Sequence, residues 1–189
     1  MQKQTKKEDR RVRRTKKLLA QTLAELMQEK QLSEITVKEL ADRADMNRGT
    51  FYLYYKDISN MLESIEDDIL NSLNAIFERR ELEGTAKQRA GILKDLLSAI
   101  KENRQMVGTL LSPKGDINFL HRLNDLLHEK YLQHFKKTDL SISKERLDYQ
   151  YSFLVFGTGG LIRAWVSRGC KEPADQMAQL LESFIRKGS

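Results

Sequence analysis

Residues 36–56, with the sequence TVKELADRADMNRGTFYLYYK, predict two short helices joined by a sharp turn. Thr36 is a good N-cap, and Glu39 three residues later completes a capping box, so the first helix should begin at Val37. Its apolar positions fall on one helical face, with charged residues between them. These positions are Val37, Leu40, Ala41 and Ala44.

The second helix should cover residues 48–54. Asp45 tolerates a left-handed backbone, which suits the turn, and Asn47 is again a strong N-cap. Phe51 and Tyr55 lie four residues apart and should face the alanines of the first helix. Two helices joined by a three-residue turn form a helix-turn-helix motif.

Such a motif inserts the first turn of its second helix into the major groove of DNA. Arg48 can donate two hydrogen bonds to guanine and Thr50 can contact a base edge, while Lys56 suits a phosphate. A helical hairpin with a solvated charged face is the alternative interpretation. The candidate DNA-binding residues are Thr36, Lys38, Asn47, Arg48, Gly49, Thr50, Tyr52, Tyr54 and Lys56.

Positive charge is confined to the part of the chain that holds this motif. Residues 1–56 contain 14 Lys/Arg and 8 Asp/Glu, whereas residues 57–189 contain 19 of each, so the whole net charge of +6 lies in the first segment. This asymmetry is typical of a nucleic-acid-binding surface, although a solvated basic tail is also basic. Residues 1–9 lack apolar periodicity and are predicted to be a disordered basic arm.

Composition and spacing favour an all-helical protein. The whole chain contains only two prolines and ten glycines, and apolar residues recur at helical spacing. A long helix should follow residue 58 for about 25 residues and end near Gly84, and a last helix should begin at Pro173. One cysteine, Cys170, and the lack of a secretory signal favour a cytoplasmic protein.

Gly157 and Gly160 fall within a very apolar helix, followed one turn later by Ala164. Glycine inside a helix costs roughly 0.5–1 kcal/mol relative to alanine, so such a cluster suggests close helix packing. The packing partner is either another helix of the same chain or a second copy of the chain.

The pattern of small and aromatic residues in the motif closely resembles the DNA-binding domain of the TetR family of bacterial transcriptional regulators. The resemblance covers roughly residues 10–62. Asp45 stands where the family usually has glycine, Asn47 where it has serine, and Ile58 where a lysine often contacts phosphate. The resembling pattern comprises Thr36, Val37, Leu40, Ala41, Ala44, Met46, Asn47, Gly49, Thr50, Phe51, Tyr52, Tyr54, Tyr55, Lys56 and Asp57.

The resemblance implies a three-helix DNA-binding domain (residues 10–57) and a larger helical domain for ligand binding and dimerisation (residues 58–189). It implies a homodimeric repressor that binds a pseudo-palindromic operator and is released by a small-molecule inducer. Two C-terminal helices would form the dimer interface, through Gly157, Gly160, Leu161, Ala164, Met177, Leu181 and Phe184. Aromatic and polar residues are candidates for the ligand pocket: His128, Tyr131, Tyr151, Phe153 and Trp165.

No cofactor, metal ion or catalytic residue is expected. His121, Asp125 and His128 share a helical face, but no second group of ligands accompanies them. Gly157–Gly160 lacks the third glycine and the preceding strand of a dinucleotide-binding loop. Three alternatives stay open: a helical protein that uses the motif to bind protein partners, a helical enzyme that uses a cavity in the C-terminal domain, and a regulator without a small-molecule ligand.

Overall fold

The computed structural model describes residues 2–79, 86–113, 115–138 and 143–187. Throughout these ranges every regular element is helical, as the sequence predicts. The α-helices are α1 (Gln2–Glu29), α2 (Val37–Arg43), α3 (Arg48–Tyr52), α4 (Ile58–Arg79), α5 (Ala86–Glu102), α6 (Arg104–Leu110), α7 (Ile117–Thr138), α8 (Lys144–Ser167) and α9 (Ala174–Lys187), and a 3₁₀ turn (Leu32–Glu34) precedes α2.

The first helix differs from its prediction, because α1 extends back to Gln2 and includes most of the expected disordered arm. Residues 2–9 are polar, but six of the eight are Gln, Lys or Glu, which favour helix formation, and the segment contains neither glycine nor proline. The buried part of α1 supplies a helix nucleus from which this segment needs only to propagate.

Helices α1, α2 and α3 enclose a tightly packed core. Leu23, Leu40 and Phe51 are fully buried in one cluster, and Tyr55 closes it beyond α3. The Phe51 and Tyr55 rings lie 5.7 Å apart at their centroids. The predicted three-helix unit is therefore present, with the aromatic pair on its inner side.

The same core continues into the C-terminal part of the chain. Ile58 and Met61 of α4 are buried in it together with Met106 and Leu110 of α6. The Thr109 hydroxyl of α6 is shared between two main-chain carbonyl oxygens. Its Oγ1 lies 3.0 Å from Gln105 O of the same helix and 3.4 Å from Ala24 O of α1. Packing is thus continuous across the predicted domain boundary at residues 57 and 58.

Helix α4 connects the motif to the rest of the molecule. Its Asn60 N–H donates to Asp57 Oδ1 at 2.8 Å, which caps the helix immediately after the motif. Farther along, Ile69 and Leu73 are only half-buried. Helix α4 ends at Arg79, and Gly84, its predicted end, lies outside the described residues.

A second core is formed where α5, α8 and α9 meet. It contains Leu97, Trp165, the free cysteine Cys170, Met177 and Leu181, all buried. Helix α9 begins one residue after Pro173, whose carbonyl accepts the first helical hydrogen bond from Met177 N at 3.1 Å. Prediction and structure agree on α9 within the usual uncertainty of a helix end.

Candidate nucleic-acid interface

Local hydrogen bonds fix the start of each helix of the motif. Thr36 Oγ1 accepts from Glu39 N at 3.2 Å, and Asn47 Oδ1 accepts from Gly49 N at 2.8 Å, as expected for N-caps. Asp45 has a φ of 50°, the predicted left-handed turn. A Cβ atom on Gly49 would lie 3.2 Å from the capping Asn47 oxygen, so the absence of a side chain keeps this cap uncrowded.

Ion pairs hold the motif against α1. The two terminal nitrogens of Arg43 donate to the two carboxylate oxygens of Glu29, at 2.8 and 2.5 Å. The hydrogen bond from Arg43 holds the pKa of Glu29 below its ordinary value of 4.5. The Glu39 carboxylate accepts from Lys30 Nζ at 2.6 Å. These contacts join α2 to α1 and thereby set the orientation of α3.

Most of the predicted DNA-binding side chains lie on the outer surface. Lys38, Arg48 and Lys56 are exposed, and Tyr52 of α3 is 58% exposed. Thr50 is half-buried. Exposed donors at the first turn of α3 are what direct contact with base edges requires.

The remaining predicted residues have partly structural roles. The side-chain oxygens of Thr36 and Asn47 act as helix caps. Tyr54 is half-buried, with its ring 6.4 Å from that of Tyr55. Sequence reasoning missed Leu53, which is 75% exposed directly after α3. Its position between the inward-packed Phe51 and Tyr55, two residues from each, is the signal that indicates its exposure, because helical residues two positions apart point to nearly opposite sides.

A basic segment of α1 adjoins this unit. Residues 10–17 carry six Lys/Arg and no acidic residue. Arg10, Arg13, Arg14 and Lys17 are exposed. Lys16 Nζ lies 5.6 Å from the centre of the Tyr55 ring, a cation–π contact between α1 and the motif.

A cavity of 1980 Å³ lies between α1 and the helices of the C-terminal part. Of the five predicted ligand residues, only Tyr131 and Tyr151 line it. Phe153 is 64% exposed on the outside of α8, and Trp165 is buried in the second core. His128 lies outside the lining, with its ring 4.6 Å from that of Tyr151. Aromatic composition does not distinguish Phe153, Trp165 and His128, which lie outside this lining, from the two tyrosines that line it, because composition does not reveal which side of a helix faces a cavity.

The two lining tyrosines are themselves packed together, with ring centroids 5.4 Å apart. The Tyr151 hydroxyl lies 2.8 Å from both Asn124 O and Asn124 Oδ1. Burial raises the pKa of Tyr131 and of Tyr151. Tyr151 therefore has an internal hydrogen-bond partner and stabilises the cavity wall.

An exposed apolar face covers one side of α8 and α9. Phe156 is 79% exposed, and Cβ atoms added to Gly157 or Gly160 would contact nothing within 4 Å. Ala164 is also exposed. This face, the outer α8–α9 face below, carries large side chains at Tyr149, Phe153, Phe156, Leu180 and Phe184.

The structure divides the predicted interface residues between this face and the core of the protomer itself, and their role in a dimer stays a prediction. Met177 and Leu181 are buried in the second core, where they pack against α5 and α8, and Leu161 packs against the same cluster. Helix α9 is amphipathic, and its inner apolar stripe packs inside the second core of the same chain. Its outer stripe, which contains Leu180 and Phe184, remains exposed.

The described side chains include no group of three His, Cys, Asp or Glu close enough together to hold a metal ion. Within the same ranges, none of the helices is long and apolar enough to cross a membrane.

Comparisons with known proteins agree with this geometry. Residues 19–65 match the model of bacterial regulatory proteins of the tetR family, and residues 90–187 match a C-terminal region of transcriptional regulators. YxbF of Bacillus subtilis (strain 168), described as an uncharacterized HTH-type transcriptional regulator, is 34% identical over 59 residues. That match spans 31% of this chain and only 16% of YxbF.

Two solved structures share the fold at low sequence identity. The dihydroxyacetone kinase operon activator DhaS is 19% identical, with a TM-score of 0.57 over 92% of this chain and 95% of DhaS. FadR of Bacillus subtilis, in complex with stearoyl-CoA, is 16% identical, with a TM-score of 0.62 over 89% of this chain and 96% of FadR.

The capped helix-turn-helix unit and the helical C-terminal part define a helix-turn-helix transcriptional regulator. The chain belongs to the TetR family of bacterial transcriptional regulators.

Proposed function

We propose that this protein is a homodimeric repressor that binds a pseudo-palindromic operator in the bacterial cytoplasm and is released by a small-molecule inducer. The observation that carries the proposal is the first turn of α3. Asn47 caps this turn, and Arg48 and Gly49 are exposed there. The ion pair between Arg43 and Glu29 holds the motif against α1. Arg48 would read guanine, and the basic segment of α1 would contact phosphates.

Dimerisation would use the outer α8–α9 face. Exposed aromatic side chains around glycines that leave space for a neighbouring helix favour association through helix packing. Two protomers joined there would hold their recognition helices about 34 Å apart, the spacing of successive major grooves on one face of DNA.

Ligand control would act through α4. This helix begins in the core of the motif with Ile58 and lines the cavity with Ile65, Ile69 and Leu73. A ligand that favours another position of α4 would change the spacing of the two recognition helices. Ligand and operator would then weaken each other's binding by the same factor. FadR, a structural relative, was solved with a bound ligand.

Binding of DNA at rising salt concentration tests the proposal. The DNA would be the segment upstream of the protein's own gene, with an unrelated segment of equal length as the control. We expect tight binding to the upstream segment alone at physiological salt. Equal and steeply salt-sensitive binding to both segments would mean that the protein attracts phosphate without reading sequence, and would favour a protein-binding role for the motif.

The direction of regulation needs a separate measurement, because DhaS is described as an operon activator. A reporter gene placed behind the bound segment should be expressed less when the protein is present. Higher expression would contradict the repressor part of the proposal and leave the DNA-binding part intact.

A further inference from the structure

The cavity has an apolar wall that nothing within the described protomer fully covers. Helix α4 contributes a stripe of half-buried side chains, Ile65, Ile69, Leu73 and Ile76. Helices on the other sides add further aliphatic side chains: Leu93, Leu96, Leu123, Leu127 and Leu154. Apolar surface of this extent gains free energy when an apolar group replaces water.

The charged residues that line the cavity are mostly basic. Eight lysine and arginine residues line it, against three acidic residues, Asp68, Glu102 and Glu182. Five of the eight basic residues come from one segment of α1, and we call them the basic rim: Arg10, Arg13, Arg14, Lys16 and Lys17. Because an α-helix rises 1.5 Å per residue, their Cα atoms span only about 10 Å.

The cavity also has room for a long ligand. It is partly open to solvent, and its volume of about 1980 Å³ exceeds the roughly 300–1,000 Å³ of a pocket for a drug-sized molecule. The cavity combines an aliphatic wall with positive charge concentrated in one segment of α1. These two features complement a ligand that has an apolar chain and a negatively charged end.

We propose that the ligand is an anionic amphiphile, a molecule with a long aliphatic chain and a carboxylate or phosphate head group. The chain lies along the α4 stripe, and the head group lies at the basic rim. The inference rests on the ligand-responsive function proposed above and specifies its ligand by chemical class.

Binding of matched ten-carbon compounds to the full-length protein, without DNA, tests the charge preference. The probes are decanoate, decyl phosphate, decanol and decyltrimethylammonium, each below its micelle concentration in equilibrium dialysis. We expect the two anions to bind at least tenfold more tightly than decanol, and the cation to bind most weakly. Whichever anion binds more tightly identifies the head group as carboxylate or phosphate. Equal or tighter binding of the cation would overturn the proposal.

Chain length tests the apolar wall. Burial of each methylene favours binding roughly fourfold, so decanoate should bind on the order of a hundredfold more tightly than hexanoate. Similar affinities for the two acids would contradict the placement of the chain along α4.

Variants of α1 test the position of the head group. The double change Arg13→Ala and Arg14→Ala should weaken decanoate binding about tenfold and leave decanol binding within twofold. Arg11→Ala is the matched control, because Arg11 is an exposed arginine of the same helix that does not line the cavity. Equal losses in the double variant and in the control would overturn the proposed rim.

The test separates this inference from the proposed function. Loss of the anion preference with sequence-selective DNA binding intact would reject only the ligand class. Intact anion binding without selective DNA binding would reject the regulator function and leave the ligand site standing.

Discussion

The helix-turn-helix unit and the outer α8–α9 face treat their aromatic residues in opposite ways. In the unit, Phe51 is fully buried and Tyr55 nearly so, and their partners all come from the same protomer. On the outer face, Phe153 and Phe156 are 64% and 79% exposed. The helix-turn-helix unit thus buries its aromatic residues within one chain, whereas the outer α8–α9 face leaves its aromatic residues uncovered, as the proposed dimer interface requires.

The largest expected effect is a loss of stability when the core of the helix-turn-helix unit is changed. Phe51→Ala should destabilise the protein by about 3–5 kcal/mol, because it removes a fully buried ring and leaves a cavity. Tyr52→Ala is the matched control, since the neighbouring ring is 58% exposed and should change stability by less than about 1 kcal/mol. Urea denaturation measures both. Similar losses in the two variants would show that the unit is not packed as described.

A second prediction concerns Glu66, a carboxyl group that is 4% exposed on α4. Among the described residues its Oε1 has no hydrogen-bond partner, and its Oε2 lies 3.7 Å from Arg122 Nη1 of α7. Burial, helped by the nearby Asp116 charge, raises the pKa of Glu66 from 4.5 to about 7, although Arg122 acts in the opposite direction. The folded protein therefore retains a proton between pH 4.5 and 7 that the unfolded chain releases.

Stability should consequently fall as the pH rises through that window. Between pH 5 and pH 8 the loss attributable to Glu66 is about 2–3 kcal/mol, and Glu66→Gln should remove it. Denaturant unfolding at pH 5 and pH 8 measures the difference, with the exposed Glu78→Gln of the same helix as the control. An unchanged pH dependence in Glu66→Gln would contradict the assignment.

A smaller effect is expected at the DNA-binding surface. Arg48→Ala should weaken binding to the specific operator by about 1–3 kcal/mol and affect unrelated DNA less, because the lost contact reads a base. The exposed Lys38→Ala should weaken binding to both DNAs alike if Lys38 contacts only phosphate. Anisotropy titrations compare the two variants. Equal weakening of both DNAs by Arg48→Ala would reassign Arg48 as a phosphate contact.

Local sequence predicted the helix ends and the turn of the helix-turn-helix unit. The caps of Thr36 and Asn47 and the left-handed turn at Asp45 depend on residues within three positions, so the sequence contains their partners. Even there, the Glu39 carboxylate makes an ion pair with Lys30, nine residues away, a partner that a local pattern cannot indicate.

In the C-terminal part, tertiary packing decides which apolar residues are buried, and the sequence alone does not contain that information. Helix α9 has an inner and an outer apolar stripe, and the sequence alone cannot show that α5 covers Met177 and Leu181 but not Phe184. The cavity likewise depends on how α1 passes the helices of the C-terminal part, so the sequence links the basic segment of α1 to DNA and cannot place it in the cavity lining. Apolar periodicity predicts that a face is buried, but the element that buries it is decided by the fold.

The central claim is that the outer α8–α9 face is the dimer interface. Sedimentation equilibrium of the wild-type protein and of Gly157→Leu tests it directly. A Cβ atom at residue 157 meets nothing within 4 Å in the protomer, and replacing a helical glycine should not destabilise α8. Asn71→Leu, which adds the same side chain to an exposed position of α4, serves as the control.

We predict a wild-type mass twice the 22.0 kDa of one chain, retained in Asn71→Leu, and a folded monomer for Gly157→Leu. A monomeric wild-type protein at micromolar concentration, or an intact Gly157→Leu dimer, would contradict the assignment of the outer α8–α9 face as the dimer interface.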